Sequence, residues 1–93
     1  MKYLVTYDIS NNKKRNTLGD ILETYGYRVN YSVFEIELSK TKLNKLLKQI
    51  DEKNLYDKDQ DSLRFYHLCE NCISKSFELL NREDVFEERE FFI

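Results

Sequence analysis

The chain has 93 residues, with 15 Lys or Arg against 17 Asp or Glu, no proline, two glycines and two cysteines. That length makes one domain, 1–93, and the composition excludes a linker or a low-complexity segment. No apolar run approaches the roughly 18 residues of a membrane span, and the N-terminus lacks the basic, apolar, small-residue order of a secretion signal. The expectation is a cytoplasmic protein with no membrane partner, its two cysteines reduced thiols.

The formal net charge of −2 hides an asymmetry. Residues 1–50 carry nine Lys or Arg against five Asp or Glu, and residues 51–93 carry six against twelve. A basic first half suits a nucleic-acid backbone; ordinary solvated helix faces give the same count.

Lys2 to Ser10 reads KYLVTYDIS. Tyr3, Leu4, Val5, Thr6, Tyr7 and Ile9 are nearly all β-branched or aromatic, apolar on both faces, which suits a strand in the middle of a sheet. Asp8 breaks that character where the strand should end. A carboxylate at the C-terminal end of a central strand is placed to hold a metal or position a substrate, and it also reads as a turn or cap residue. Leu18, Ile21, Leu22 and Tyr25 then recur at helical spacing and predict a helix from about Asn12 to Tyr25. Ser10 or Asn11 caps its start and Gly26 is its natural stop. Lys13, Lys14 and Arg15 fall in the first turn, the unfavourable end for cations on dipole grounds, and hint that something anionic comes near.

Residues 27–38 read YRVNYSVFEIEL, two strands split by a bend or tight turn at Asn30 to Ser32. Ser39 or Thr41 opens a second helix whose stripe is Leu43, Leu46, Leu47 and Ile50, with Lys40, Lys42, Lys45 and Lys48 on its other positions. Residues 51–61 read as a polar, acidic loop. Ser62 to Cys69, SLRFYHLC, is a further strand, with Leu63, Phe65, His67 and Cys69 on one face and Arg64, Tyr66 and Leu68 on the other. The core ends near residue 72. Ile73 to Leu80 reads as a strand, Asn81 and Arg82 as a turn, and Val85 to Ile93 is too apolar to leave in solvent, so residues 73–93 are expected to add one or two strands at a dimer or partner interface. The order strand, helix, split strand, helix, strand predicts an α+β, ferredoxin-like βαββαβ fold with an antiparallel sheet and both helices on one face. The fold alone hosts many functions.

His67, Cys69 and Cys72 form an H-x-C-x₂-C cluster. Zinc prefers four tetrahedral ligands, so two subunits would be needed to complete a site. Reduced structural thiols, and a histidine packed in the core beside Leu63 and Phe65, are the plainer reading; a general-base role for His67 stays open.

TYDIS at 6–10 together with RVNYSVFE at 28–35 and SLRFYHLC with its second cysteine resembles the CRISPR-associated Cas-two endonuclease family over most of residues 2–72. The resemblance implies a ferredoxin-like homodimer that works in spacer acquisition. There it is flanked by dimers of the Cas-one integrase. It also implies a metal-dependent endonuclease acting on single-stranded RNA or double-stranded DNA. The family's metal-binding aspartate falls on Asp8, its helix-one arginine on Arg15, its strand-two arginine on Arg28, and its serine and phenylalanine on Ser32 and Phe34. A second basic residue of some members falls on Thr17, which weakens the case for strong RNA cleavage.

One carboxylate cannot hold Mg²⁺ firmly, since the ion demands octahedral oxygen coordination and keeps several waters. In a twofold dimer, Asp8 and its symmetry mate can share one ion. Arg15 and Arg28 are then candidates for backbone phosphates, whose oxygens match the guanidinium fork, with Lys13 and Lys14 beside them. Ser32 contacts a phosphate or sets the bend, Arg28 alternatively covers a strand edge, and Phe34 reads as core or dimer interface before a base-stacking platform. The alternatives are a non-catalytic DNA-binding scaffold of the integrase complex and a toxin-type ribonuclease of the VapD kind, which resembles this family in fold. A sheet-face RNA-binding module is disfavoured, because no KGFGFVxF-like aromatic run appears.

Overall fold

The computed structural model describes residues 1–77, 79 and 86. Its elements in chain order are β1 (Lys2–Asp8), α1 (Asn12–Glu23), β2 (Gly26–Asn30), β3 (Val33–Glu37), α2 (Lys40–Glu52), β4 (Ser62–Leu68) and the short α3 (Glu70–Ser74). The four strands form one sheet in the order β2-β3-β1-β4. Every neighbouring pair is antiparallel. This is the ferredoxin-like βαββαβ arrangement predicted by the alternation of strand and helix patterns.

β1 lies inside the sheet, as its two-sided apolar character requires. Tyr3, Val5 and Tyr7 are buried on one face, while Lys2, Leu4 and Thr6 are half-buried on the other. Phe34 and Ile36 of β3 share the buried face with Leu18, Ile21 and Leu22 of α1 and Leu46 and Ile50 of α2, so both helices cover the same side. The Asn11 side chain accepts from the Lys14 amide to start α1, and Ser39 does the same for Lys42 at α2. Both are side-chain caps of the usual N-terminal kind.

α1 ends at Glu23 with Thr24 as its cap, before Tyr25, and Gly26 does not stop it. No glycine has a positive φ among the described residues. Gly26 opens β2, and the reason for a glycine is space: a Cβ there would lie 2.3 Å from Ile36 Cγ2 and 2.4 Å from the Glu35 carbonyl oxygen. Leu47 departs from the predicted core stripe and is 43% exposed. It lines an open cleft of about 420 Å³ between α2 and β4, with Leu63 and Phe65 on the opposite wall. The two elements do not close over it.

β4 ends at Leu68, and Cys69 caps α3. Ile73 and Ser74, predicted to begin a strand, belong to this helix instead; the Cys72 and Ile73 amides both reach back to the Cys69 carbonyl and wind the chain there. Phe77 makes an isolated bridge. Phe86 is buried, and its amide donates to Glu35 Oε1 at 3.1 Å. Glu35 sits between Phe34 and Ile36 and so faces away from the helices. The predicted turn at Asn81 and Arg82 and most of the strand 85–93 lie outside the described residues. No helix among the described residues is long and apolar enough to cross a membrane.

Candidate functional site

One end of the sheet gathers most of the residues singled out in the sequence. Asp8 pairs with Ser62 at the start of β4, and Thr6 pairs with Val33 at the start of β3. The β1–α1 turn, the start of α1, the β2–β3 turn and the start of β4 therefore meet there. Asp8 is exposed at this end.

The turn after Asp8 is fixed from two sides. Asp61 Oδ1 accepts from the Ser10 amide at 3.0 Å and from the Ser10 hydroxyl at 2.9 Å. Asp61 Oδ2 accepts from the Asp57 amide at 2.8 Å. Those amide donors, with the Ser10 hydroxyl and nearby Lys14 adding to them, hold the Asp61 carboxyl below its ordinary value. On the other side, Arg15 Nη1 donates to the Ile9 carbonyl at 3.0 Å, and its Nη2 donates to Asn12 Oδ1. Arg15 Nε is buried with no hydrogen-bond partner among the described residues. Arg15 thus clamps the backbone directly after Asp8. Asp61 was invisible as a site residue in the sequence, where it reads as one more acid in a polar loop; the only local signal is the D-x-D-x-D spacing that turns the loop back on itself.

The predicted phosphate contacts divide. Lys13 is exposed in the first turn of α1 and Lys14 half-exposed beside it, with no acidic residue in that turn. Arg28 is half-exposed and tied down on the surface of the fold. Its Nε pairs with Glu23 Oε1 at 2.9 Å, its Nη1 donates to the Tyr31 carbonyl at 2.5 Å, and its guanidinium carbon lies 4.7 Å from the centre of the Phe34 ring. Burial works against its charge, and the Glu23 carboxylate and the Tyr7 oxygen together outweigh burial and raise its pKa. Gly19 on α1 makes room for it, since a Cβ there would stand 2.7 Å from Arg28 Nη2. The expectation that Arg28 covers a strand edge is met in part, through specific contacts that tie β2 and the β2–β3 turn to α1. Burial pushes the Tyr7 hydroxyl above its ordinary pKa, partly offset by the Arg28 cation; Tyr7 donates to the Tyr31 carbonyl at 3.4 Å.

Phe34 is fully buried and stacked on Tyr7 at 6.2 Å between centroids, which makes it core and leaves no ring face for a base. Ser32 lies in the β2–β3 turn, and its carbonyl accepts from the Tyr7 amide at 3.1 Å. This extends the β1–β3 pairing to the edge of the Asp8 end and fits Ser32 as the residue that sets the bend. His67 is exposed and stacked on Tyr3 at 5.0 Å, against the expectation of a packed core histidine; β4 is an edge strand and neither helix reaches its C-terminal end. Cys69 and Cys72 are both free and exposed. No group of three or more His, Cys, Asp or Glu side chains that could hold a metal occurs among the described residues. Asp8 therefore brings one carboxylate as a hard oxygen donor from one chain; a magnesium ion held there would take its other ligands from a second carboxylate, water or phosphate oxygens.

Comparison with known proteins agrees with this fold. The family model for CRISPR associated protein Cas2 matches residues 1–76. A CRISPR-associated endoribonuclease Cas2 of Synechocystis sp. is 44% identical over 73 residues, covering 78% of this chain and 77% of the relative. The crystal structure of Streptococcus pyogenes Cas2 superposes with a TM-score of 0.73 at 28% identity, over 85% of this chain and 99% of that one. A chain of a partial Cas6-RT-Cas1–Cas2 complex superposes with a TM-score of 0.67 at 31% identity, over 90% of this chain and 94% of that one. With its ferredoxin-like sheet, its strand-end aspartate and a family match over most of its length, the chain belongs to the CRISPR associated protein Cas2 family.

Proposed function

We propose that the protein is a nucleic-acid-binding phosphodiesterase of the adaptation machinery, a homodimer that works beside a Cas1 integrase. The observation that carries this reading is the exposed Asp8 at the end of an interior strand, directly before a helix whose first turn holds Lys13, Lys14 and Arg15 and no acid. A carboxylate and a positive helix end on one rim suit a phosphodiester: the helix N-terminus and the lysines attract the phosphate, and the carboxylate binds what must act on it. The curated relatives named as endoribonucleases and the neighbour solved in a Cas1–Cas2 complex support the reading from outside the chain. The substrate is single-stranded RNA or double-stranded DNA.

In this proposal Mg²⁺ is shared by Asp8 of both copies and supplies charge neutralisation and a water of lowered pKa. The chain's own residues do the rest. Lys13 and Lys14 draw the backbone to the α1 end. Arg15 and Asp61 fix the backbone that follows Asp8, so the carboxylate is presented from a rigid turn. Arg28 and Ser32 shape the β2–β3 turn at the same end and lie next to any phosphate that reaches it. Residues 1–72 are the working core, and 73–93 the segment that meets a partner. A scaffold without catalysis uses the same basic end, and Thr17, where some family members carry a second basic residue, is the feature of this chain that favours it.

The deciding experiment compares the full chain with Asp8→Asn on both substrates, each with Mg²⁺ and with chelator. Expected is metal-dependent cleavage that falls at least about 100-fold in the variant, with dimerisation and melting unchanged. Equal product in all arms from a folded dimer removes the nuclease and leaves the scaffold.

A further inference from the structure

Cys69 and Cys72 stand apart from the Asp8 end, at the point where β4 gives way to the tail. The Cys69 thiol donates to Cys72 Sγ across 3.2 Å, and both residues are exposed. The backbone between them is already closed into a turn: the Cys72 and Ile73 amides each bond the Cys69 carbonyl at 3.1 Å. The sulfurs already face each other across a turn whose backbone is held closed, the arrangement that lets two cysteines be bridged. Ile73 is buried and anchors the far side of the turn. No third metal-ligating side chain joins the pair among the described residues, so its chemistry is that of a dithiol.

We propose that Cys69 and Cys72 form a redox-active dithiol that a low-molecular-weight disulfide oxidises to an intrachain disulfide. Cys69 is the attacking thiol. Once Cys69 has lost its proton the hydrogen bond reverses, and the Cys72 thiol with the Cys72 and Asn71 amides of the closed turn holds the Cys69 pKa below its ordinary value, while the contact with Cys69 raises Cys72. Cys69 as thiolate attacks one sulfur of the small disulfide and expels the first small thiol, leaving a mixed disulfide on Cys69. Cys72 loses its proton to solvent and attacks Cys69 Sγ, which expels the second small thiol. One S–S bond breaks and one forms; the protein gives up two electrons and two hydrogens, and the small disulfide gains them. The product locks the turn that follows β4, away from the Asp8 end.

The test uses the full native chain, reduced, then equilibrated in glutathione buffers of graded oxidised-to-reduced ratio, quenched with an alkylating agent and weighed intact. Expected is a species that has lost both alkylatable thiols and two hydrogens, without bound glutathione, reverting as the ratio is lowered. Cys72→Ser should trap one glutathione on Cys69, and Cys69→Ser should react several-fold more slowly. A native chain that keeps two alkylatable thiols throughout, that accumulates stable glutathione adducts, or that links only between chains overturns the proposal. Equal adduct rates in the two variants overturn the assignment of Cys69 as attacker.

Discussion

Phe34 separates two accounts of this molecule, a base-stacking ring and a core ring, and the structure sets a magnitude on the difference. The side chain is fully buried. Its ring stacks on Tyr7 and carries the Arg28 guanidinium at 4.7 Å. Phe34→Ala removes the transfer free energy of the ring, leaves a cavity under α1 and takes the bed from Arg28; an aromatic pair is worth about 0.5–1.5 kcal/mol beyond its area and an accessible cation–π contact about 0.5–1 kcal/mol. The total cost is about 4 kcal/mol, within the range for truncating a buried aromatic. For a domain of this size that lowers Tm by on the order of 20 °C. Phe34→Leu keeps most of the volume and costs about 2 kcal/mol at about 0.8 kcal/mol per lost carbon. The assay is thermal and urea melting of both variants at one fixed chain concentration, since dimerisation would shift the midpoint by mass action, followed by oligonucleotide binding by the folded Leu variant. The reasoning predicts native affinity for Phe34→Leu. It is refuted if Phe34→Ala melts within about 1 kcal/mol of the native chain, or if the stable Leu variant loses binding, because either result puts the ring on a ligand.

Gly26→Ala forces a methyl into the Ile36 side chain and the Glu35 carbonyl, and backbone cannot move aside cheaply, so a loss of about 3 kcal/mol is expected in urea melts. Gly19→Ala meets the end of the Arg28 side chain at 2.7 Å and the Tyr7 hydroxyl at 3.2 Å, side-chain atoms and no backbone, and gains about 1 kcal/mol of helix propensity, so its melt should stay near native. Asp61 has a folded pKa below its unfolded value. Its contribution to stability is present above the unfolded carboxylate range near about pH 4 and is lost as pH falls through the folded value; the gap in Tm between the native chain and Asp61→Ala should therefore be full at pH 6–7 and shrink below about pH 4, and a gap constant across that range would show that the carboxylate charge does not hold Ser10.

The fold was legible because local preferences and global layout agree. The apolar run from Tyr3 to Ile9, the stripes of α1 and α2, and the polar break before Val33 each point to one element, and the four strands then have one economical topology. What escaped the sequence depends on contacts between distant segments. Gly26 looks like a helix stop, and only the approach of β3 shows that it is a close-packing residue. Leu47 has the spacing of a core position, yet β4 leaves a cleft beneath it. His67 alternates with Leu63 and Phe65 but lies where the helices no longer cover the sheet. Asp8, Lys13, Lys14 and Arg15 were legible as an end of a strand and the start of a helix. Asp61, distant in sequence from Ser10, was not, because hydrogen-bond partners in loops leave no periodic trace.

The cations at the Asp8 end differ in what they are already doing, and that difference can be measured. Arg15 and Arg28 spend donors on the Ile9 and Tyr31 carbonyls, and Arg28 adds an ion pair with Glu23. Removing Arg15 takes that donor from the Ile9 carbonyl, and removing Arg28 leaves the Tyr31 carbonyl with only the longer Tyr7 contact and breaks the Glu23 pair, so Arg15→Ala and Arg28→Ala should lower Tm as well as any binding. Lys13 and Lys14 stand at the start of α1, where cations oppose the helix dipole; replacing them relieves that conflict and should leave the melt unchanged or slightly raised. A phosphate contact releases counterions, so each lysine that touches the backbone contributes about 0.9 to the slope of log K against log salt on duplex DNA. Lys13→Ala with Lys14→Ala should flatten that slope by nearly two while preserving the fold. A native slope in the double variant would move nucleic acid away from this end and take the argument for Asp8 with it, since the carboxylate acts only on a phosphate that the helix start brings within reach.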